Sequence, residues 1–556
     1  MIRDLDQLTE RTFDVLVVGG GIYGLAIAYD AAQRGLSTAV IEQGDFGSGA
    51  SFNHLRTVHG GLRYLQTLDL GRARESIRER RALARIAPHT VRPVPFVIPI
   101  YLSPLRGKIA MRAGLLLDRL IGFDRNRRVS PVHKLPAGRV VSKGRAVQDF
   151  PGLKRRGLRG AAVFYDYVTT ESDRLTFSFG LAAAAHGAVL ANHVEGTELL
   201  KEGRRVTGVR ARDAMDGRRL EIAAQVTVNA TGAAIDRLLD AHGVSLGIPM
   251  VRAMNLVTRR DSGEEALAGV GASGRHLFLV PWRQRALFGT WESREPGKPR
   301  EPREPKEPGE PGKQRHAEGQ TSSGGCISAS DVTSFIDDLN QAFPALDLSM
   351  SDITLVHRGV VPVREAIRDH ASQGLEGLLS VAGAKFTTAR AVAERVTDIL
   401  VSKLPHAPAT PCRTGELPLP GGSIRDVGLL IGAARREHDV GLPTDTIPHL
   451  VNAYGRNFEE VLNLATNRPD WKQRLAPDSP VIGAELVWAV RKEMAMTLAD
   501  AMIRRTPLGA LGYPGDEATN RAALIVAGEL GWSDERRLSE TTAVRDFYGV
   551  VNALNT

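Results

Sequence analysis

Cysteine is almost absent from this sequence: Cys326 and Cys412 are the only two in 556 residues. Two thiols cannot form a disulfide framework or a cysteine-rich metal centre, so a reducing compartment is favoured and no metal site is predicted. Aromatic residues make up only 5% of the chain, and no basic stripe is interleaved with them. Nucleic-acid binding is therefore not predicted, although the net charge is +9.

Long apolar runs are also missing. No stretch approaches the ~20 consecutive apolar residues that a membrane-spanning helix needs. Residues 1–11 are polar and charged and contain no apolar signal core, which argues against secretion. The chain is therefore predicted to be cytoplasmic. Its positive charge favours an anionic substrate or an acidic membrane face as a partner.

A dinucleotide-binding fingerprint lies near the N-terminus. The apolar run Val15–Val18 is followed by Gly-x-Gly-x-x-Gly, a helical pattern and a second apolar strand that ends in Glu42. In this motif Gly19 permits a tight turn, Gly21 lets the backbone approach a pyrophosphate, and Gly24 lets helix and strand pack closely. The N–H groups at the helix start would bind the phosphates, and Glu42 would accept hydrogen bonds from ribose hydroxyls. The motif alone does not distinguish FAD from NAD.

Three further stretches carry a specific pattern. The first is a loop of small residues that ends at Ser51 and leads into Asn53-His-Leu-Arg-Thr-Val-His-Gly-Gly-Leu-Arg-Tyr-Leu-Gln66. The second is the strand and glycine turn Val226-Thr-Val-Asn-Ala-Thr-Gly232. The third is Leu378-Leu-Ser-Val-Ala-Gly-Ala-Lys-Phe-Thr-Thr-Ala-Arg390. Together with the N-terminal fingerprint, they resemble the FAD-dependent glycerol-3-phosphate dehydrogenases, a family within the D-amino-acid-oxidase-like flavoproteins. The resemblance covers nearly the whole chain except residues 294–325.

The resemblance implies that the cofactor is FAD. A helix beginning after Lys385 would stabilise negative charge on the reduced flavin through its dipole. The positions that match the family's cofactor-binding motifs are Gly19, Gly21, Gly24, Glu42, Ser51, Val194, Gly232, Gly383, Lys385 and Thr387.

The resemblance also implies the reaction, which is oxidation of sn-glycerol 3-phosphate to dihydroxyacetone phosphate. A hydride would pass from C2 to flavin N5, and the electrons would then pass to a quinone. Arginine and lysine would bind the substrate phosphate. His59 would be the general base, because an imidazole with an ordinary pKa of ~6.5 suits proton transfer near neutrality. The predicted site residues are Arg56, His59, Arg358, Arg368 and Lys385.

One position departs from the family pattern. Many members have an arginine immediately before the proline of His357-Arg-Gly-Val-Val-Pro-Val-Arg364, and Val361 stands there in this chain. In an unbroken strand, Arg358 and Arg364 would share one face and Val361 would point to the other. The same flavin chemistry on another small anionic hydroxy acid or amine therefore remains an alternative. A non-enzymatic flavoprotein and an NAD-dependent enzyme are further alternatives.

The predicted fold is α/β with two main parts. A doubly wound, Rossmann-type FAD-binding domain would be interleaved with a mostly antiparallel substrate sheet over residues 1–412. A C-terminal helical domain would follow over 416–556. One apolar helical stripe is predicted there from the spacing of Val487, Val490, Met494, Leu498 and Met502. Prolines at every third position within 294–325 predict a disordered surface insertion.

Residues 105–128 place leucines between basic ends. This pattern is typical of a helix lying in a membrane interface, and equally of a half-buried helix in a soluble domain. Peripheral attachment to the inner face of the cell membrane is thus left open. Homodimer formation is left open as well.

Overall fold

The computed structural model describes residues 1–101, 107–293, 327–406, 410–438 and 441–555. The proline-rich insertion predicted at 294–325 lies outside these ranges, so its disorder stays a prediction. Residues 105 and 106, the first of the basic, leucine-containing segment at 105–128, also lie outside these ranges.

Within the described ranges the chain alternates strands and helices up to residue 403 and is helical in its regular structure afterwards. The strands are β1 (Phe13–Val18), β2 (Thr38–Ile41), β3 (Thr57–Val58), β4 (Val91–Ile100), β5 (Arg139–Ser142), β6 (Gly160–Thr169), β7 (Val189–Ala191), β8 (Val194–Glu202), β9 (Arg205–Asp213), β10 (Arg219–Asn229), β11 (Met250–Asp261), β12 (Ala266–Val270), β13 (His276–Trp282), β14 (Arg285–Glu292), β15 (Ile353–Pro362), β16 (Ala366–Asp369) and β17 (Leu378–Ala382). The helices are α1 (Ile22–Gln33), α2 (Leu70–Ile86), α3 (Lys108–Ile121), α4 (Lys143–Asp149), α5 (Ser172–Ala185), α6 (Ala329–Ala342), α7 (Ala389–Lys403), α8 (Val427–His438), α9 (Thr446–Tyr454), α10 (Phe458–Asn467), α11 (Gly483–Glu493), α12 (Asp516–Leu530) and α13 (Asp534–Asn555).

The first sheet forms the cofactor domain, with the strand order β16-β17-β10-β1-β2-β7. Its central strands are parallel, and β16 joins as an antiparallel edge strand. Helices α1, α5 and α7 share one apolar core with one face of the sheet, and the β8–β9–β10 meander packs on the other face. A parallel strand that is buried on both faces of its sheet has a continuous apolar sequence, as Val15–Val18 has. The predicted Rossmann-type domain is confirmed.

The second sheet has the order β15-β11-β14-β13-β12-β4-β6-β3 and is antiparallel except where β12 meets β4. Strand β4 contains Pro93, Pro95 and Pro99, yet it pairs with β6 along its full length. The three prolines are an even number of residues apart, so their missing N–H groups all belong to the edge that faces away from β6. The predicted antiparallel sheet is confirmed.

The C-terminal helices form a core of their own around Trp471 and Trp488, and they also pack against the second sheet near Trp282 and Leu355. The prediction of one continuous helical stripe through Met494 is wrong, because the stripe is divided between two separate helical segments. Helix α11 ends at Glu493, because Met494 adopts a left-handed backbone with φ of 58°. The chain then resumes as a short π-helix from Asp500 to Arg505.

One smaller expectation also needs correction. Strand β15 ends at Pro362, so Arg364 lies beyond the strand and is exposed, and it does not share a strand face with Arg358. On α2, Arg80 is buried and forms an ion pair with Asp166. A buried arginine needs such a partner because an unpaired charge inside a protein is strongly destabilising.

Candidate active site

A cavity of ≈ 960 Å³ runs between the cofactor domain, strand β15, the C-terminal segment 497–504 and helix α13. It begins at the glycine turn after β1 and reaches the loop between β17 and α7. Most of the predicted cofactor-binding positions line it: Gly19, Gly21, Glu42, Ser51, Val194, Gly232, Gly383 and Lys385. Gly24 and Thr387 lie outside this wall. A dinucleotide and a small substrate are the kind of ligands that such an elongated cavity accommodates.

The three fingerprint glycines serve different purposes. Gly19 has a φ of 109°, and a Cβ on it would lie 2.5 Å from the carbonyl oxygen of Ala230. A Cβ on Gly24 would lie 1.8 Å from the carbonyl oxygen of Gly19. Gly21 is different, because its Cβ would meet only Ser51 Oγ, at 3.2 Å, and would otherwise point into open space. The protein therefore requires Gly19 and Gly24 for its own packing, whereas Gly21 leaves room for a ligand.

Glu42 lies at the cavity wall at the end of β2, where both its oxygens accept backbone hydrogen bonds. Oε2 accepts from the N–H of Gly20 at 2.6 Å, and Oε1 accepts from the N–H of Gly44 at 2.9 Å. Burial raises the pKa of this carboxyl, and the two hydrogen bonds oppose that rise. Each oxygen retains a second lone pair, which is what acceptance of a ribose hydroxyl requires. That role of Glu42 remains a prediction.

Lys385 lies in the loop between β17 and α7 and is half-buried at the cavity wall. Its Nζ stands 4.1 Å from the centroid of the Tyr64 ring, a cation–π distance. Burial lowers the pKa of Lys385, and the nearby positive charge of Arg63 lowers it further. Lys385 at the cavity wall and the exposed Arg63 near it therefore form a positive cluster.

His59 lies next to this positive cluster. Its backbone N–H donates to Thr387 Oγ1 at 3.2 Å, so the two predicted residues are brought together. The pKa of His59 is lowered to about 4, mainly by burial and then by the charges of Lys385, Arg80 and Arg63. The imidazole is therefore neutral at pH 7 and has a lone pair for a proton, although His59 is not among the residues that line the cavity.

The three predicted arginines lie in different places. Arg358, on β15, lines the cavity, and its backbone N–H donates to Asn53 Oδ1 at 3.2 Å. Arg56 is completely buried; its guanidinium bonds Ser172 and lies 4.7 Å from the Trp282 ring. Arg368 is exposed on the edge strand β16. Of the three, only Arg358 lies at the cavity wall.

Several site residues were not predicted individually from the sequence. Arg63 and Tyr64 lie within the quoted His-Gly-Gly-Leu-Arg-Tyr-Leu motif, but the motif does not show that their side chains meet Lys385. His54 lines the cavity with its ring stacked on Phe386, at a centroid distance of 4.2 Å. Its Nδ1 accepts the N–H of Arg56 at 3.1 Å, and burial lowers its pKa well below the usual value. Tyr23 was missed as well, because position 23 is variable in the glycine motif.

Asp45, His193 and Asp500 place ligand-type atoms within 4.8 Å of one another at the cavity wall. These atoms already have protein partners: Asp45 binds both nitrogens of the Arg505 fork, and His193 Nε2 lies 2.8 Å from Asp500 Oδ2. Asp500 raises the pKa of His193 against the effect of burial. The arrangement is thus an ion-pair network that joins the C-terminal helices to the cofactor domain.

Comparisons with known proteins agree with this geometry. The family model described as FAD dependent oxidoreductase matches residues 14–399, and the model described as C-terminal domain of alpha-glycerophosphate oxidase matches residues 412–537. The glycerol-3-phosphate dehydrogenase of Synechocystis sp. is 29% identical over 96% of this chain and 96% of its own length. That of Mycobacterium leprae is 30% identical over 95% of this chain and 87% of its own length.

Among solved structures, the glycerol-3-phosphate dehydrogenase of Bacillus halodurans complexed with FAD superposes with a TM-score of 0.76. It is 23% identical, and the match covers 98% of this chain and 96% of that chain. At this level of identity the likeness supports the fold, from the glycine turn to the C-terminal helices.

Proposed function

The chain belongs to the family of FAD-dependent glycerol-3-phosphate dehydrogenases, and from this premise we propose that it oxidises sn-glycerol 3-phosphate to dihydroxyacetone phosphate. The observation that carries the proposal is Lys385, a half-buried cation at the wall of the cofactor cavity that lies over the Tyr64 ring and feels the positive charge of Arg63. A cluster of cations beside a flavin site is what a small phosphorylated substrate requires.

The residues at the other end fit FAD. Gly21 leaves open space at the start of α1, where backbone N–H groups and the helix dipole favour a pyrophosphate. FAD held there would supply a two-electron acceptor for the hydride from C2 of the substrate. The protein's part is to hold the substrate beside the cofactor, exclude water and accept the hydroxyl proton.

We assign the substrate phosphate to Lys385, which lines the cavity, with Arg358 of the same cavity wall as a further cation. Lys385 is half-buried, and its interaction with the Tyr64 ring limits where its ammonium group can go. Arg56 and Arg368 are left out of this assignment. The first is buried away from the cavity against Trp282, and the second is exposed on β16.

His59 is the proposed general base for the C2 hydroxyl. Its lowered pKa of about 4 keeps it neutral at physiological pH, so it can accept the proton. The same positive surroundings that lower this pKa make the imidazole a weaker base in the free enzyme. A bound phosphate dianion would offset those charges and return basicity to the ring.

The test is anaerobic titration of the holoenzyme with sn-glycerol 3-phosphate, monitored by the absorbance band of oxidised flavin. We expect complete loss of that band with one equivalent, and a far weaker response to glycerol. If sn-glycerol 3-phosphate left the band unchanged, the proposed substrate would be wrong.

A second candidate is the same chemistry on another small anionic hydroxy acid or amine. The observation that favours it is Val361, which lines the cavity where many family members have an arginine. A panel of hydroxy acids and amines in the same titration separates the two. Bleaching by a panel member at concentrations where glycerol 3-phosphate is inert would establish this candidate.

We further propose that the electrons pass to a quinone and that the protein attaches to an anionic membrane surface through α3. Among the described residues no helix is both long and apolar enough to cross a bilayer. On α3 and the turn after it, however, the large apolar side chains Ile109, Leu116, Leu120 and Phe123 are exposed. Their spacing places them on one side of the helix, beside Arg112 and Arg119, which is the pattern of an interfacial helix.

A further inference from the structure

Tyr23 joins the start of α1 to the loop that carries Lys385. Its hydroxyl donates to the carbonyl oxygen of Lys385 at 2.7 Å and accepts from the N–H of Lys385 at 3.1 Å. A single phenol thereby satisfies both backbone groups of a residue 362 positions away in the chain. Tyr23 also lines the cavity, one residue after the α1 start that faces the cofactor phosphates.

The ring of Tyr23 fixes the same loop by packing. A Cβ on Gly383 would lie 2.0 Å from Cε2 of Tyr23, so the ring lies directly against the Gly383 backbone. Burial raises the pKa of Tyr23 well above its usual value, which keeps the hydroxyl protonated as a donor throughout the physiological range. Ring and hydroxyl together leave the backbone at 383–385 little freedom.

Three further contacts of this loop involve its side chains and not the Lys385 backbone. His59 holds the side chain of Thr387, His54 stacks on the ring of Phe386, and Tyr64 contacts the Lys385 ammonium group. Tyr23 is the residue that bonds the Lys385 backbone. The backbone position of a lysine sets the region that its ammonium group can reach on its four-carbon stem, and the Tyr64 ring then restricts the ammonium group of Lys385 within that region.

We propose that Tyr23 is a positioning residue for the phosphate of the substrate, acting through Lys385. By fixing the Lys385 backbone it holds the ammonium group at the cavity wall before substrate arrives, so less ordering is required on binding. This inference rests on the proposed function, in which Lys385 binds the phosphate. It also makes α1 a shared support for the cofactor phosphates at Gly21 and the substrate phosphate at Lys385.

The test variant is Tyr23→Phe in the full-length holoenzyme, which keeps the ring against Gly383 and removes both hydrogen bonds. The matched control is Tyr29→Phe, six residues further along the same helix. By hydrogen–deuterium exchange, we expect the segment 383–388 to exchange about 10-fold faster in Tyr23→Phe and unchanged in Tyr29→Phe. Unchanged exchange in Tyr23→Phe would overturn the proposal.

The kinetic arm is a double-mutant cycle with Lys385→Ala. In the wild-type background, Tyr23→Phe should lower kcat/KM for glycerol 3-phosphate about 5- to 30-fold, mainly through KM, with FAD content unchanged. In the Lys385→Ala background the same substitution should cost less than about two-fold. An equal loss in both backgrounds would overturn the proposal, because Tyr23 would then serve the flavin or the fold.

The two proposals can fail separately. If Lys385→Ala alone left kcat/KM unchanged, the phosphate assignment of the proposed function would be wrong, and with it the role of Tyr23 in substrate binding. If Lys385→Ala were defective while Tyr23→Phe matched wild type in both exchange and kinetics, only the Tyr23 proposal would fail.

Discussion

Arg505 and Asp45 form a bidentate ion pair across 460 residues of sequence: Nη1 of Arg505 lies 2.5 Å from Oδ2 of Asp45, and Nη2 lies 2.7 Å from Oδ1. Both side chains are buried. Asp45 belongs to the loop that follows Glu42 at the cofactor cavity, and Arg505 ends the π-helix of the C-terminal part. This pair thus joins the C-terminal helices to the wall of the cofactor site.

Removing one partner of this pair should be costly. Arg505→Ala leaves the Asp45 carboxylate buried without its partner, which typically costs about 3–5 kcal/mol. We expect a clearly lower melting temperature and faster loss of FAD. Arg536→Ala is the control, because Arg536 is 43% exposed where it pairs with Glu540 and should cost less than ~1 kcal/mol. Equal melting temperatures for the two variants would contradict this account.

The glycines at 21 and 24 should respond differently to substitution. Gly24→Ala creates a clash with the Gly19 carbonyl, so we expect misfolding and low recovery of soluble protein. Gly21→Val meets little protein, so the variant should fold but not retain FAD. Far-ultraviolet circular dichroism and the flavin-to-protein absorbance ratio measure the two effects. A folded Gly21→Val variant with stoichiometric flavin would refute the assignment of the space at Gly21 to the cofactor.

The pH dependence of kcat/KM should report His59. Its folded pKa of about 4 lies below the ordinary value, so the neutral, proton-accepting form is present above about pH 4 and is lost as the pH falls through that value. An acid limb near 4 is therefore expected in pH-jump assays of flavin reduction. His59→Ala should lower the rate by ~10²–10⁴ and abolish this limb. A limb near 6.5 would show that the imidazole is not in these positive surroundings.

Lys385 and Arg368 offer a matched pair of cations. Lys385→Ala should reduce kcat/KM for glycerol 3-phosphate by ~30-fold or more, because the phosphate loses a partner in a partly desolvated site. Arg368→Ala should change it less than about two-fold, because Arg368 is exposed on an edge strand. With glycerol, which has no phosphate, the Lys385→Ala loss should shrink. A large loss for Arg368→Ala would return that residue to the substrate site.

Membrane attachment through α3 is tested by flotation with vesicles that contain anionic lipid at low salt. Leu116 and Leu120 are 57% and 63% exposed, so replacing both with Asp should weaken binding without disturbing the core. Leu524→Asp is the control, since Leu524 is 60% exposed on α12. Absence of binding by the wild-type protein, or equal binding by all three, would remove α3 from this role.

The sequence by itself determined the cofactor fold. Val15–Val18, the glycine spacing and Glu42 are close together in the chain, so the strand, turn and helix that they form are fixed locally. The family resemblance extended this to FAD and to the reaction class.

The arrangement of the site was decided by the tertiary structure. Family motifs and charge grouped Arg56, Arg368 and Lys385 as phosphate-binding residues, and only Lys385 of these lies at the cavity wall. Tyr23 and Lys385, like Asp45 and Arg505, come from distant parts of the chain and meet through sheet order and domain packing. Charge and motif indicate what a side chain can do. The burial and the orientation of a side chain depend on which remote segments pack against it, because the spacing of residues within a short stretch determines neither.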